Sequence, residues 1–457
     1  MEINQRMSKR FAWLLGVVVL VSIGLLVACG SNYNSSSDGL VLVGSQGSGL
    51  IETFSFNLGS GSVSSVSNSP ADTSSQTCVL KGIPSSMVVD PKGTYAYTIL
   101  NKNTSCDTTS PPFTSTNGIL AFKLNSDGTT TVVGKPVPFS PETVVFQGTS
   151  TLDIPAPDVV PGTMTIDSAG KFLFVADRAT TDSTGLYVPG AVSVFAIGSG
   201  GIVTEVAGSP FFVSLPASTL PQAGLDIISV AATPTVFPAI GINGVQNSVC
   251  STQTPPTLEY LYAVDRLGYQ LFEFSVETTT GVLTLVTSQT MPVATDKVPA
   301  GIAVDPCDRF VYVSDSLTDK ISAYNICTGL SSICSAADGS LQPVHGSPFS
   351  ITGANTPGPL VVDPYGNFVY VVGTLSNTVH PLKISSVTGS LAPGTPASVA
   401  TGQTPTSIAI RGDDNWLFVT NYNGPSVSQY AVTPATGALT TQQAIQTDNY
   451  PWGVAVK

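Results

Sequence analysis

Two consecutive stretches, Pro299-Ala300-Gly301-Ile302-Ala303-Val304-Asp305 and Phe310-Val311-Tyr312-Val313-Ser314-Asp315, decide the fold of this chain of 457 residues. The first runs from a proline through two small residues into an alternating apolar segment that ends in an aspartate. The second alternates aromatic and small side chains between β-branched residues. Period-two alternation on both sides of a short turn predicts two antiparallel strands.

The same phrase returns along the chain, and its first half begins again at Pro84, Pro161, Pro357, Pro405 and Pro451. A second strand with period-two aromatic residues follows each complete copy, as at Trp416 and Phe418. A third strand, a turn such as Thr280-Gly281 and a fourth strand complete the unit. Four strands at a period of about 45 residues are typical of a propeller blade.

Blades begin near six residues, which are Pro84, Pro161, Leu225, Pro299, Pro357 and Pro405. A seventh blade is assembled from both chain ends, because residues 40–44 and 50–56 read as a second and a third strand without a first. The orphan strand 452–457 supplies it. The sequence therefore predicts an all-β, seven-bladed β-propeller of four-stranded antiparallel blades over residues 39–457. The C-terminal strand joins the N-terminal blade and removes the exposed sheet edges.

The N-terminus has the pattern of an export signal. A positive segment from Arg6 to Arg10 precedes an apolar run that ends in Leu26-Val27-Ala28-Cys29, which matches the bacterial lipobox. We expect residues 1–28 to be a lipoprotein signal peptide, Cys29 to carry lipid, and residues 30–38 to form a flexible tether. This predicts an exported protein, anchored at the outer membrane or the periplasmic face of the cell envelope. An uncleaved membrane helix is the alternative, because the apolar run is close to the ~17 residues needed to span a bilayer.

Charge and motifs exclude several functions. The net charge is −12, and removal of the signal peptide would leave 14 basic against 28 acidic side chains. Such a surface repels phosphate backbones, so we expect no nucleic-acid partner. The sequence has no zinc-type cysteine pairs, phosphate-cradling glycine loop or Gly-x-Ser-x-Gly elbow. We therefore expect no cofactor and no metal, and a monomer.

The cysteines fit an oxidising compartment, because six of the seven remain once Cys29 takes lipid. Bridged cysteines must have Cα atoms within about 7 Å of each other. The blade frame brings them together in three pairs, and we predict the disulfides Cys78–Cys106, Cys250–Cys307 and Cys327–Cys334.

A set of polar residues lies where second strands end, on one face of the predicted ring: Asp177, Arg178, Asp265, Arg266, Asp315 and Asn421. Carboxylates and guanidinium groups at a channel mouth could bind a polar or anionic ligand, or a cation. The alternative is structural, because Asp and Asn at strand ends commonly bond the following turn. The two histidines are not assigned to catalysis: we expect His345 on an outer-strand surface and His380 to be solvated or packed on a sheet.

These repeats also resemble a known family. Phe310–Asp315 and the matching segments 172–177 and 416–421 look like the YVTN propeller repeat, and the Thr-Gly hairpins at Thr280, Thr388 and Thr436 are similar to those of the seven-bladed lactonase family. That family includes 6-phosphogluconolactonases. The resemblance covers residues 40 to 457 and implies a seven-bladed propeller. It also allows lactone hydrolysis, although repeat motifs determine the fold and function lies in the loops.

Two functions remain open. In the first, the protein is a binding or interaction scaffold at the cell envelope, whose partner is a small molecule, a glycan or a protein. In the second, it is a lactone hydrolase that uses Arg178, Arg266 and neighbouring acids. The predicted export and the shortage of histidines favour the first function. Whether the protein is an enzyme stays open.

Overall fold

The computed structural model describes twelve ranges, which are residues 38–66, 71–72, 82–101, 117–139, 142–146, 150–154, 159–181, 187–213, 225–234, 259–286, 292–328 and 337–457. The predicted signal peptide, the lipidation site Cys29 and four of the cysteines assigned to disulfides lie outside these ranges; those cysteines are Cys78, Cys106, Cys250 and Cys334. Among the described residues no helix is long and apolar enough to cross a bilayer.

Most of the described strands form seven antiparallel sheets, which are the blades of a seven-bladed β-propeller. We number the blades 1 to 7 from the N-terminus. Their innermost strands are, in that order, Pro451–Val456, Ile83–Val89, Val160–Ile166, Ile227–Ala232, Pro299–Val304, Pro357–Val362 and Pro405–Ile410. The second strands are Asp38–Ser45, Tyr95–Asn101, Phe172–Arg178, Glu259–Asp265, Phe310–Asp315, Phe368–Gly373 and Trp416–Asn421. The third strands are Leu50–Asn57, Gly118–Leu124, Ala191–Ile197, Gln270–Val276, Lys320–Thr328, Thr378–Ile384 and Ser426–Thr433.

The outermost position differs among blades. Blade 2 has one continuous strand there, Thr130–Pro138. In the other blades two short segments pair in turn with the third strand. They are Val63–Ser65 and Ala71–Asp72, Val203–Glu205 and Phe211–Phe212, Leu283–Leu285 and Val293–Ala294, Ala337–Pro343 and Phe349–Ser350, Leu391–Pro393 and Val399–Ala400, and Ala438–Thr441 and Ile445–Gln446.

Two short strand pairs and one helical turn lie outside this pattern. Glu142–Phe146 pairs with Ser150–Ile154 between blades 2 and 3, and Thr180–Thr181 pairs with Tyr187–Val188 within blade 3. The 3-10 turn Ser199–Gly201 is the one helical element of the described ranges.

The two ends of the described chain close the ring, as the sequence predicts. The C-terminal strand pairs antiparallel with Asp38–Ser45, with Val41 opposite Val456 and Val43 opposite Val454. The Lys457 amide donates to the Leu40 carbonyl at 2.9 Å. Val41 and Val43 are fully buried and pack with the aromatic side chains of blade 7. Blade 1 is therefore a composite sheet whose core depends on both chain ends.

Adjacent blades are joined by one repeated contact. A glycine at or close to the turn between the third and outer strands lies on an aromatic ring at or next to the start of the second strand of the preceding blade. The pairs are Gly201 with Tyr95, Gly281 with Phe172, Gly339 with Tyr260, Gly389 with Phe310, Gly437 with Phe368 and Gly61 with Trp416. A β-carbon at any of these glycines would overlap the ring. This close approach explains why the Thr-Gly hairpins recur.

Two of the cysteines fall in the described ranges. Cys307 and Cys327 are buried and disulfide-bonded. The partners that the blade frame assigns to them, Cys250 and Cys334, lie outside the described residues. The three pairings therefore stay predictions.

Candidate functional site

In each blade the innermost strand begins, and the second strand ends, on the same face of the ring. Two residues flank this junction, one just before the innermost strand and one at or just after the end of the second. We call these positions the rim. In blades 4 to 7 and in blade 1 one backbone hydrogen bond of 2.9–3.0 Å joins the two rim residues, and the pairs are Asp226 and Arg266, Val298 and Ser316, Thr356 and Thr374, Thr404 and Tyr422, and Tyr450 and Gln46. The strand register places Val160 and Arg178 at the rim of blade 3.

The rim changes character around the ring, although its backbone geometry repeats. It is charged in blades 3 and 4, small and neutral in blades 5 and 6, and aromatic in blades 7 and 1. Because the backbone is the same in each blade, the fold does not dictate these differences. The rim is therefore the part of the repeat where ligand chemistry can vary.

In blades 3 and 4, two arginines converge on one carboxylate. Arg266 Nη2 lies 2.7 Å from Asp226 Oδ2, and Arg178 Nε lies 3.4 Å from Asp226 Oδ1. The side chains of Arg178 and Arg266 are 36% and 39% exposed, whereas that of Asp226 is 3% exposed. We call these three residues the arginine cluster. Two guanidinium groups therefore share one carboxylate, on a protein of net charge −12.

The carboxylate of Asp226 is held in place by hydrogen bonds to neighbouring residues of blades 3 and 4. Asp226 Oδ1 accepts the Ala179 amide at 3.1 Å, and the Asp226 amide donates to Asp265 Oδ1 at 2.9 Å. The other Asp265 oxygen accepts from Gln270 Nε2 at 2.9 Å. Burial raises the pKa of Asp265. Asp265 thus positions Asp226 rather than facing a ligand.

The remaining strand-end residues lie beneath the rim and bond within their own blades. Ser193 Oγ donates to Asp177 Oδ2 at 2.6 Å, and Ser322 Oγ donates to Asp315 Oδ2 at 2.7 Å. In blade 7, Asn421 Nδ2 donates to the equivalent serine at 3.0 Å. All three are at most 2% exposed. Burial raises the pKa of Asp315 to about 7. Of the six residues selected from the sequence, only Arg178 and Arg266 are brought together at an accessible position.

Sequence reasoning missed Asp226. It precedes the innermost strand of blade 4, the blade whose first strand lacks the proline that marks the others. Its rim position becomes evident only when Ile227 is aligned with Pro299 and Pro405, because these three residues pair with the last residue of their second strands. The useful signal was the strand register, not a motif.

The described ranges hold no group of three metal-ligating side chains. Of the two histidines, His345 is exposed next to the outer strand of blade 5. His380 is fully buried in the third strand of blade 6, where Nε2 lies 2.8 Å from Thr378 Oγ1. Burial lowers the pKa of His380. Neither histidine lies at the rim.

This fold and this rim define a seven-bladed, lactonase-like β-propeller. Residues 332–456 match the sequence model of the family "Lactonase, 7-bladed beta-propeller", which confirms the resemblance over that part of the chain. No protein of curated function matches the sequence.

Several solved structures share the architecture over 92% of this chain. A candidate 6-phosphogluconolactonase of Bacteroides uniformis is 16% identical, is covered over its whole length and superposes with a TM-score of 0.62. The periplasmic gluconolactonase of Pseudomonas aeruginosa is also 16% identical, is covered over 99% of its length and has a TM-score of 0.59. A Lactobacillus plantarum protein is 14% identical, with 99% coverage and a TM-score of 0.62. At these identities the likeness shows the fold alone.

Proposed function

We propose that this protein is an envelope-anchored propeller that binds a small organic anion at the arginine cluster. The observation that carries the proposal is the convergence of two accessible guanidinium groups on one buried carboxylate. Asp226 orients both arginines, so less of their side-chain entropy is lost on binding. Guanidinium groups match carboxylate and phosphate geometry, and their charge-assisted hydrogen bonds are the stronger ones.

The proposed anchor fits this use of the rim. The strand Asp38–Ser45 ends at the rim, so Asp38 lies at the opposite face, about 23 Å away at about 3.3 Å per residue. A lipid on Cys29 would therefore tether the molecule by that opposite face. The arginine cluster would then point away from the membrane, toward soluble ligands.

Isothermal titration of the purified protein with gluconate, 6-phosphogluconate and inorganic phosphate tests the proposal. We expect binding of at least one anion that weakens as salt is added. Arg178→Ala and Arg266→Ala should each weaken it at least tenfold, since a hydrogen bond to a charged group contributes about 1.5–3 kcal/mol. Lys383→Ala, which removes an exposed charge from blade 6, is the matched control and should bind normally. Equal binding by all four proteins would refute the proposal.

Lactone hydrolysis is a second candidate, supported by the likeness to a periplasmic gluconolactonase. The arginine cluster could hold the carboxylate formed when water opens a lactone. Acid release from glucono-lactones under pH-stat tests this candidate. Turnover that is lost in Arg178→Ala and in Arg266→Ala would favour the enzyme over the binding protein.

A further inference from the structure

The rim residues Tyr422 and Tyr450 of blades 7 and 1 lie beside a third aromatic side chain, that of Trp452, and the proposed anion site uses none of the three. The ring centroids of Tyr422 and Tyr450 lie 5.0 Å apart at 37°, and those of Tyr422 and Trp452 lie 5.4 Å apart at 88°. Tyr450 is 47% and Trp452 38% exposed, while Tyr422 is half-buried between them. Tyr422 therefore supports two accessible rings set at an angle to each other.

The fold does not require aromatic residues here. Tyr450 has a left-handed backbone with φ of 60°, and the equivalent residues of blades 5 to 7 share this conformation with smaller side chains: Val298, Thr356 and Thr404. Trp452 lies at the register shift of its strand pair, where the same three blades have Ala300, Gly358 and Thr406. Bulges often redirect a side chain next to a functional site. Large rings at positions that valine, threonine and glycine also fill indicate a role beyond packing.

The polar groups beside these rings are amides and hydroxyls. Asn423 is exposed, and its Nδ2 donates to Thr404 Oγ1 at 2.8 Å. Thr406 Oγ1 donates to the Trp452 carbonyl at 3.2 Å. Such groups can exchange their weak surface hydrogen bonds for those of a ligand that carries several hydroxyls.

Charge next to the aromatic residues argues against an anion. Asp448 lies two residues before Tyr450, and its amide donates to the Glu52 side chain at 3.0 Å. The arginine cluster belongs to blades 3 and 4, and Arg411 of blade 7 follows the end of the innermost strand, at the face opposite the rim. The aromatic sector therefore suits a neutral ligand and differs in kind from the arginine cluster.

We propose that Tyr422, Tyr450 and Trp452 form a second binding site, which takes a neutral sugar ring of an oligosaccharide. The face of a pyranose carries C–H groups, whose partial positive charge suits the negative face of an aromatic ring. Its equatorial hydroxyls reach outward toward the neighbouring amides and hydroxyls. A flat aliphatic ligand would leave those polar groups unused, and this distinguishes a sugar from a lipid chain.

Tryptophan fluorescence gives a direct test in the protein without the predicted signal peptide, which contains Trp13, because Trp452 is exposed and Trp416 is buried. The probes are neutral oligomers of glucose, galactose, mannose and N-acetylglucosamine at millimolar concentration. We expect at least one of them to protect Trp452 from iodide quenching. Trp452→Ala and Tyr450→Ala should each weaken binding at least tenfold, whereas Tyr450→Phe, which keeps the ring, should bind within about twofold.

Two controls separate this site from the others. Arg266→Ala should leave oligosaccharide binding unchanged, so failure of the anion proposal and failure of this one give different results. A thermal unfolding midpoint equal to wild type in the alanine variants shows that they fold. The proposal is overturned if no oligomer protects Trp452, or if Trp452→Ala binds as well as wild type. It is also overturned if wild type alone self-associates, because the rings would then be an interface between copies.

Discussion

At the scale of single residues, the most unusual groups are buried carboxyls at the face opposite the rim. Asp308 and Asp414 occupy turn positions with φ of 57°, where blades 2, 3 and 6 have glycine. Both are at most 1% exposed, and the Asp308 carboxyl has no hydrogen-bond partner within the described ranges. Burial raises the pKa of Asp308 to about 8. The pKa of Asp414 is raised in the same way, and the adjacent carboxyl of Asp363 raises it further.

Because the pKa values of these carboxyls are raised in the folded state, they make the protein more stable at acidic pH. The native state keeps these protons up to about pH 8, whereas the unfolded chain releases them near pH 4. The stability that these two carboxyls contribute is therefore full below about pH 4 and falls as the pH rises from there to about 8. We expect a lower urea midpoint at pH 8 than at pH 5. Asp414→Asn should raise the free energy of unfolding at pH 8 by about 1–3 kcal/mol and flatten this dependence.

Asp127 supplies the matched control for this prediction, because its side chain is exposed and asparagine there removes the same charge. Asp127→Asn should leave the difference between pH 5 and pH 8 unchanged. A flattening of equal size in both variants would mean that general charge repulsion, and not burial of Asp414, causes the pH dependence.

At the scale of elements, the contact between a turn glycine and the aromatic ring of the preceding blade determines how blades pack. Gly437 has φ of 68° and lies on the ring of Phe368. Gly134 has almost the same φ, 67°, with open space around it. Alanine at both sites imposes the same backbone strain, but only Gly437→Ala also forces the ring to move. We expect Gly437→Ala to cost about 2 kcal/mol more than Gly134→Ala in urea unfolding. Equal losses would show that the contact is loose.

The sequence predicted the blades well because each strand pair carries its own local signal. The innermost strand Pro299–Val304 and the second strand Phe310–Asp315 lie where the alternation places them. The division of the outermost strand into two short segments was not predicted. Both segments pair with different parts of the same third strand, so the division follows from that pairing and not from a local sequence pattern. The burial of Asp177 and Asp315 was also hidden, because it depends on serines of the third strand. The convergence of Arg178 and Arg266 on Asp226 was hidden too, because it depends on how the strands of blades 3 and 4 are aligned.

At the scale of the whole molecule, closure of the ring depends on seven C-terminal residues. They supply the innermost strand of blade 1, which covers Val41 and Val43 and borders the core that contains Trp416. Without them, the second strand of blade 1 would present an unpaired edge. The Lys457 carbonyl also accepts from the Leu40 amide at 3.3 Å and from Arg411 Nε at 3.1 Å, which links the two chain ends to blade 7.

Deletion of residues 451–457 should therefore open the ring. We expect the truncated chain to lose its cooperative thermal transition or to aggregate, as measured by circular dichroism and light scattering. A circular permutant that joins Lys457 to Asp38 through a short glycine-serine linker and begins at the 85% exposed Val387 retains every strand. It should unfold cooperatively near the wild-type midpoint, because the joined ends already lie side by side. If the truncated chain unfolds at the wild-type midpoint, or the permutant fails as the truncation does, closure by this strand is not what stabilises the propeller.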